Sequence, residues 1–126
     1  MNNNIEDPIP SFDLDFSRIG EEWEELMQQL TIIFEKRPAD LNAVLFLIGV
    51  QELGKGHKHF SKEEKQDLMH IAICKVLSYS GIYELEGLDQ DGWPHWKLIQ
   101  KLPFVNLLEQ EKLLKVHVIE YFKREL

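Results

Sequence analysis

Cysteine is almost missing from this 126-residue sequence, in which Cys74 is the single example. One cysteine excludes a framework of disulfides within the chain, and a chain of this length can bury about two-thirds of its unfolded surface without one. We therefore expect residues 16–126 to form one domain that folds in a reducing compartment, the cytoplasm.

Long apolar runs are also missing. The longest run, residues 43–50, has eight residues, whereas a membrane-spanning helix needs about 20. The first ten residues, MNNNIEDPIP, contain neither a basic segment nor an apolar core, so we expect no secretory signal. The sequence therefore predicts no membrane partner.

Positive charge is not clustered anywhere in the chain. Residues 1–25 carry eight acidic side chains and one basic side chain, a net charge of −7, while the other 101 residues carry 14 acidic and 13 basic side chains, a net charge of −1. A protein that binds the phosphate backbone needs a basic face. We expect no nucleic-acid partner, and the charge identifies the N-terminal region as the acidic part.

Apolar residues recur with helical spacing in residues 18–36, 41–53, 62–80 and 106–123. Residues 41–53 are apolar on all sides, which predicts a central helix with neighbours all round. Asp40 is its expected N-cap and Gly54 follows its end. Gly49 predicts close approach of another helix, although a merely tolerated glycine explains it as well.

The ends of the other helices are marked by capping residues. Ser61 and Glu64 form a predicted capping box before the third helix. Ser17 and Asn106 are the expected N-caps of the first and last helices. In the first helix the apolar residues share one face, a pattern that predicts an amphipathic helix; they include Ile19, Trp23, Leu26, Met27, Leu30, Ile33 and Phe34.

Residues 82–99 alternate between apolar and polar on both sides of an Asp91-Gly92 turn signal, which predicts a β-hairpin. Leu85, Trp96 and Leu98 are expected on one face of it. We expect Trp96 in the core, and Trp93, next to the turn and close to His95, as an exposed contact.

Two groups of polar residues are candidates for a metal site. Asp67, His70 and Cys74 share one side of the third helix, and Glu52, His57 and His59 precede that helix. Together they predict a site for zinc or another transition metal, or a thiol activated by an imidazole. The alternative is that these residues form a solvated helix face, with Cys74 as a small apolar filler. Glu52 would then reach into water or pair with Lys55, His57 or His59. This alternative needs no cofactor.

Standard catalytic signatures are missing, among them the Walker loop, the dinucleotide fingerprint and the nucleophile elbow. We therefore predict a mainly α protein, a bundle of about four helices with an inserted β-hairpin and an extended acidic arm over residues 1–15. The predicted function is that of a non-enzymatic interaction module with a protein partner or a second copy. The candidate contact residues are Phe12, Leu14, Trp93, His95, Leu113 and Val116. The alternative function is binding of a metal or small ligand at the site just described.

Overall fold

The computed structural model describes residues 16–56, 58–102 and 106–126. In chain order these residues form α1 (Ile19–Phe34), α2 (Leu41–Leu53), α3 (Lys62–Leu77), a 3₁₀ helix (Ser78–Ser80), β1 (Tyr83–Leu88), β2 (Pro94–Leu98) and α4 (Leu107–Glu125). The predicted mainly α fold with a hairpin after the third helix is confirmed. The predicted N-terminal arm, with Phe12 and Leu14, lies outside the described residues.

Most helix starts are set by the predicted capping side chains. The Asp40 carboxylate accepts a 2.9 Å hydrogen bond from the backbone N–H of Ala43. Ser61 forms the full capping box with Glu64, and Asn106 caps α4. The prediction for α1 was wrong, because its N-cap position is occupied by Arg18 and not by Ser17. There the Ile19 N–H donates to the Phe16 carbonyl, 3.2 Å away, so a backbone turn takes the place of a side-chain cap.

Helix α3, and not α2, lies at the centre of the fold. It packs against α2, α4 and both strands, and it buries Leu68, Ala72, Cys74 and Val76 completely. Helix α2 has an uncovered side, on which Phe46 is half-buried. The prediction of neighbours all round α2 was therefore wrong, since uniform apolarity shows how much surface needs covering but not what covers it.

Gly49 allows α2 and α3 to pack closely. A Cβ atom at this position would lie 2.2 Å from the carbonyl oxygen of Leu68, far inside van der Waals contact. The predicted close approach of another helix at Gly49 is confirmed.

Helices α1 and α4 pack against each other. The Lys115 ammonium lies 5.1 Å from the centre of the Trp23 ring, and the Lys123 ammonium lies 3.6 Å from the Glu22 carboxylate. The last turn of α1 extends beyond this contact, so Ile33 is 51% and Phe34 42% exposed. The apolar face of α1 is thus covered along most of its length but not at its end.

The hairpin is a two-stranded antiparallel sheet, as predicted. Leu85 lies opposite Trp96 and Tyr83 opposite Leu98, which places Leu85, Trp96 and Leu98 on one face. A bulge between Leu85 and Gly87 shifts the ladder near the turn. Among the described residues, the helices are all too short or too polar to cross a membrane.

Candidate functional site

A cavity of about 490 Å³ lies between the first half of α3 and the hairpin. We name it the hairpin cavity. Its lining combines carboxylates, imidazoles and indoles from two elements that are separate in the sequence: Glu64, Asp67, His70 and Ile71 from α3, and Asp89, Asp91, Trp93, Pro94, His95 and Trp96 from the turn and β2.

Hydrogen bonds keep two of the four carboxylates in the cavity ionised. The backbone N–H of Ser61 donates to Glu64 and lowers the pKa of that carboxyl. The His95 imidazole, followed by the Trp93 backbone N–H, lowers the pKa of Asp89. Both groups are fully charged at neutral pH, so the cavity concentrates negative charge on two facing walls.

Asp89 organises the hairpin turn through both of its carboxylate oxygens. Its Oδ1 accepts hydrogen bonds from the backbone N–H groups of Asp91 at 2.9 Å and Trp93 at 3.0 Å. Its Oδ2 lies 3.0 Å from Nε2 of His95, which donates to it. This Asx-type arrangement fixes the backbone that carries the indole and the imidazole of the cavity wall.

The two tryptophans of the hairpin are both half-buried. Trp93 packs against a small apolar cluster that includes Phe60 and Leu68, so it is less exposed than the sequence predicts. Trp96, expected in the core, lines the hairpin cavity. Its Nε1–H is buried and has no acceptor within the described residues. The hairpin thus presents two indoles to the cavity and holds one of them by packing.

Cys74 and His70 are close to each other, with 3.6 Å between the sulfur and Nε2. Cys74 is completely buried, and this burial raises the pKa of its thiol to about 12. The thiol stays protonated at neutral pH, which does not suit an activated nucleophile. The burial of Cys74 agrees with the alternative of a small apolar filler, while Asp67 and His70 are exposed along the cavity wall.

The other predicted metal ligands do not join Asp67 and His70. Glu52 accepts a 2.8 Å hydrogen bond from the Tyr121 hydroxyl and lies 3.8 Å from the Lys75 ammonium. The sequence had pointed to Lys55, His57 or His59 as its partner; the observed partners come instead from α4 and α3.

His59 is exposed in the loop before α3, and His57 lies outside the described residues. Within residues 16–56, 58–102 and 106–126, no three His, Cys, Asp or Glu side chains are grouped so that they could hold a metal ion.

Two predicted contact residues lie on α4 and were expected at the surface. Leu113 is only 5% exposed and belongs to the main core, so the prediction that it is exposed was wrong. Helix α4 packs against both α1 and α3. A helix with two neighbours buries a wider face than a single stripe of apolar residues would cover. Val116 is half-buried. Of the predicted contact residues, Trp93 and His95 lie together in the hairpin cavity.

Sequence reasoning missed three carboxylates of the cavity. The sequence predicts Glu64 as a capping residue and the segment that contains Asp89 and Asp91 as a turn, and both predictions are correct locally. Their meeting depends on how the hairpin folds back on α3, for which no periodicity or motif gives a signal. The Trp93-Pro94-His95-Trp96 run was the part of the site that the sequence marked.

Comparison of the chain with protein-family models, with curated proteins and with solved structures gives no match.

Proposed function

We propose that this protein is an interaction module that binds a lysine or arginine side chain of a partner protein in the hairpin cavity. The observation that supports this proposal is the combination of four carboxylates with the indoles of Trp93 and Trp96 around one space. The chemistry of the lining selects a cation with apolar surface, and the side chains of arginine and lysine have both properties.

Arginine fits this lining better than lysine. Its planar guanidinium stacks on an indole face and donates two parallel hydrogen bonds to one carboxylate, whereas an ammonium acts as a point charge.

Part of the negative charge is offset by the protein itself. The Lys55 ammonium donates to the carbonyl of Asp91, and His95 pairs with Asp89. Glu64, Asp67 and Asp91 have no ion pair within the described part of the chain, so they are the carboxylates that we expect to meet the cation. We place this interaction in the cytoplasm, where the buried thiol of Cys74 remains reduced.

The test is an NMR titration that follows the indole N–H signals of the three tryptophans. The probe is the blocked tripeptide acetyl-Gly-Arg-Gly-amide, and the matched neutral probe replaces arginine with citrulline, which has nearly the same shape. We expect saturable shifts of the Trp93 and Trp96 signals with the arginine peptide, weakened by added salt. Trp23 on α1, which packs under Lys115 of α4, serves as the internal reference, and its signal should not shift.

Two matched variants of α3 distinguish binding in the hairpin cavity from non-specific attraction of arginine to the negative charge of the protein. Asp67→Asn removes a cavity carboxylate and should weaken arginine binding about tenfold, the effect of losing roughly 1.4 kcal/mol. Glu63→Gln removes the same charge from the neighbouring turn outside the lining and should leave the affinity unchanged. Equal shifts with the citrulline peptide, or an equal loss in both variants, would disprove the proposal.

Binding of zinc or another transition metal is the second function that we carry forward. Asp67 and His70 share one wall of the hairpin cavity, and His57 would have to add a further ligand for this hypothesis to hold. Native mass spectrometry of the untagged protein with added zinc decides it. Stoichiometric zinc that is lost in His70→Ala supports the metal site, and zinc retained in that variant excludes His70 as a ligand.

A further inference from the structure

Two uncovered apolar surfaces meet where α1 is followed by α2. One is the last turn of α1, which ends in Phe34, and the other is the side of α2 that carries Ala43, Phe46 and Leu47. With Pro38 they enclose a cavity of about 340 Å³, which we name the α1–α2 pocket. Phe34 is 42% exposed, so the pocket presents apolar surface that the described chain leaves open.

The rim of the α1–α2 pocket is basic. Lys36 and Arg37 both line it. Arg37 is bound by Glu24 through two hydrogen bonds of 2.9 and 3.0 Å, whereas Lys36 is exposed and has no ion pair within the described residues. The α1–α2 pocket thus has an apolar floor and a positively charged rim, whereas the lining of the hairpin cavity carries carboxylates. An apolar segment that carries negative charge suits the α1–α2 pocket.

The sequence contains a segment of this kind. In Phe12-Asp13-Leu14-Asp15 two apolar side chains alternate with two carboxylates. An extended segment with this alternation directs its apolar side chains to one face and its carboxylates to the other. We propose that Phe12 and Leu14 of a second copy of this chain dock in the α1–α2 pocket, so that two copies form a homodimer by exchanging their N-terminal arms.

Distance is the reason for choosing a second copy over the chain's own arm. Helix α1 has 16 residues and therefore separates Phe16 from the pocket by about 24 Å. Phe12 precedes Phe16 by four residues, which span at most about 14 Å. Two α1 helices placed antiparallel about a twofold axis bring the start of each arm beside the partner's pocket, and both sites fill at once.

The first measurement is the mass of the full-length protein by light scattering after gel filtration at micromolar concentration. We expect a dimer for the natural sequence. Phe12→Asp should raise the dimer dissociation constant at least tenfold, and this change lies outside the described fold. Ala43→Glu, which fills the half-buried pocket with an acidic group, should have the same effect, and the two changes together should add little to either alone.

A charge-matched pair tests the basic rim. Lys36→Glu should weaken the dimer, whereas Lys112→Glu makes the same change on an exposed part of α4 and should not. A monomeric natural protein, or a dimer that none of the pocket and arm variants weakens, would overturn the proposal.

Cross-linking separates exchange between copies from docking within one chain. A carbodiimide joins carboxylates to amines that are in contact, so it should link Asp13 or Asp15 to Lys36. In a mixture of ¹⁴N- and ¹⁵N-labelled protein, these linked peptides should include mixed-isotope pairs. Linked peptides that are always of one isotope would show docking within a single chain and would refute exchange.

Discussion

The hydroxyl of Tyr121 donates a 2.8 Å hydrogen bond to Oε2 of Glu52 and so joins α4 to the end of α2 across 69 positions of sequence. Tyr121 is completely buried, and this burial, together with the carboxylate beside it, raises the pKa of the phenol. The Lys75 ammonium lies 3.8 Å from the other carboxylate oxygen. The Glu52 carboxylate at the edge of the core thus has a hydrogen-bond donor on one side and a cation on the other. A carboxylate that is partly removed from water needs such partners.

Removal of this hydroxyl should destabilise the protein. In Tyr121→Phe the ring still fills its place, but Glu52 loses a donor at the core edge, at a cost of about 1–2 kcal/mol. The measurement is the free energy of unfolding from urea titration. Tyr79→Phe is the matched control, because the Tyr79 ring stacks under Arg124 and its hydroxyl makes no hydrogen bond to the described residues; this variant should be close to neutral. Equal losses in both variants would contradict the role given to the Tyr121–Glu52 bond.

Gly49→Ala should destabilise the protein although alanine favours helix formation. The new methyl group would lie 2.2 Å from the Leu68 carbonyl oxygen, and a backbone atom cannot rotate aside. Separating α2 from α3 should outweigh the helical gain of about 1 kcal/mol and leave a net loss of about 1–2 kcal/mol. At Gly20 in α1 the described residues outside the local helix backbone place no heavy atom within 4 Å of the new methyl group, so Gly20→Ala should instead be neutral or stabilising. The pair is compared by thermal and urea unfolding.

The sequence predicts those features of this protein that are decided within a few residues. The cap at Asp40 and the hairpin face shared by Leu85, Trp96 and Leu98 depend on neighbours in the chain, and both are as expected. The partner of Glu52 and the meeting of the Asp89 turn with α3 depend on packing between distant elements. Periodicity measures how apolar a helix face is, so it could not show that α3 is the centre or that Leu113 is buried.

Cys74 should be inert towards thiol reagents in the folded protein. Its complete burial raises the pKa to about 12, so the thiol is almost entirely protonated at pH 8, and the reagent cannot reach it. In native buffer we expect the rate of reaction with Ellman's reagent to be limited by the rate at which the protein unfolds around Cys74. In urea the reaction should be much faster. Lys62→Cys, at an exposed position in the first turn of α3, provides the reactive comparison. Equal rates at the two positions in native buffer would show that Cys74 is accessible.

His117 is a buried imidazole whose two nitrogens are both occupied. It is 3% exposed, with Nδ1 at 2.7 Å from the Leu113 carbonyl and Nε2 at 2.6 Å from the Ser80 hydroxyl. A carbonyl only accepts, so Nδ1 carries the proton and donates, while Nε2 accepts from the hydroxyl. This arrangement suits the neutral ring, and burial lowers the pKa of His117 below its usual 6.5.

The lowered pKa of His117 should make the protein less stable in mild acid. Below about pH 6.5 the unfolded chain takes up a proton at this position while the folded protein does not, so the free energy of unfolding falls as the pH decreases towards the folded pKa. One group contributes a slope of at most about 1.4 kcal/mol per pH unit. Above pH 6.5 both states are neutral at His117 and its contribution is constant. Urea titrations between pH 5 and pH 8 measure this slope.

Two substitutions assign the slope to His117. His117→Gln keeps an amide that can donate to Leu113 and accept from Ser80 but has no proton to gain, so it should lower stability at every pH and remove much of the dependence between pH 5 and 7. His59→Gln changes an exposed histidine and should preserve the slope. If His117→Gln retained the full slope, the proton uptake would have to come from another group, and the neutral buried imidazole would not be what makes this fold sensitive to acid.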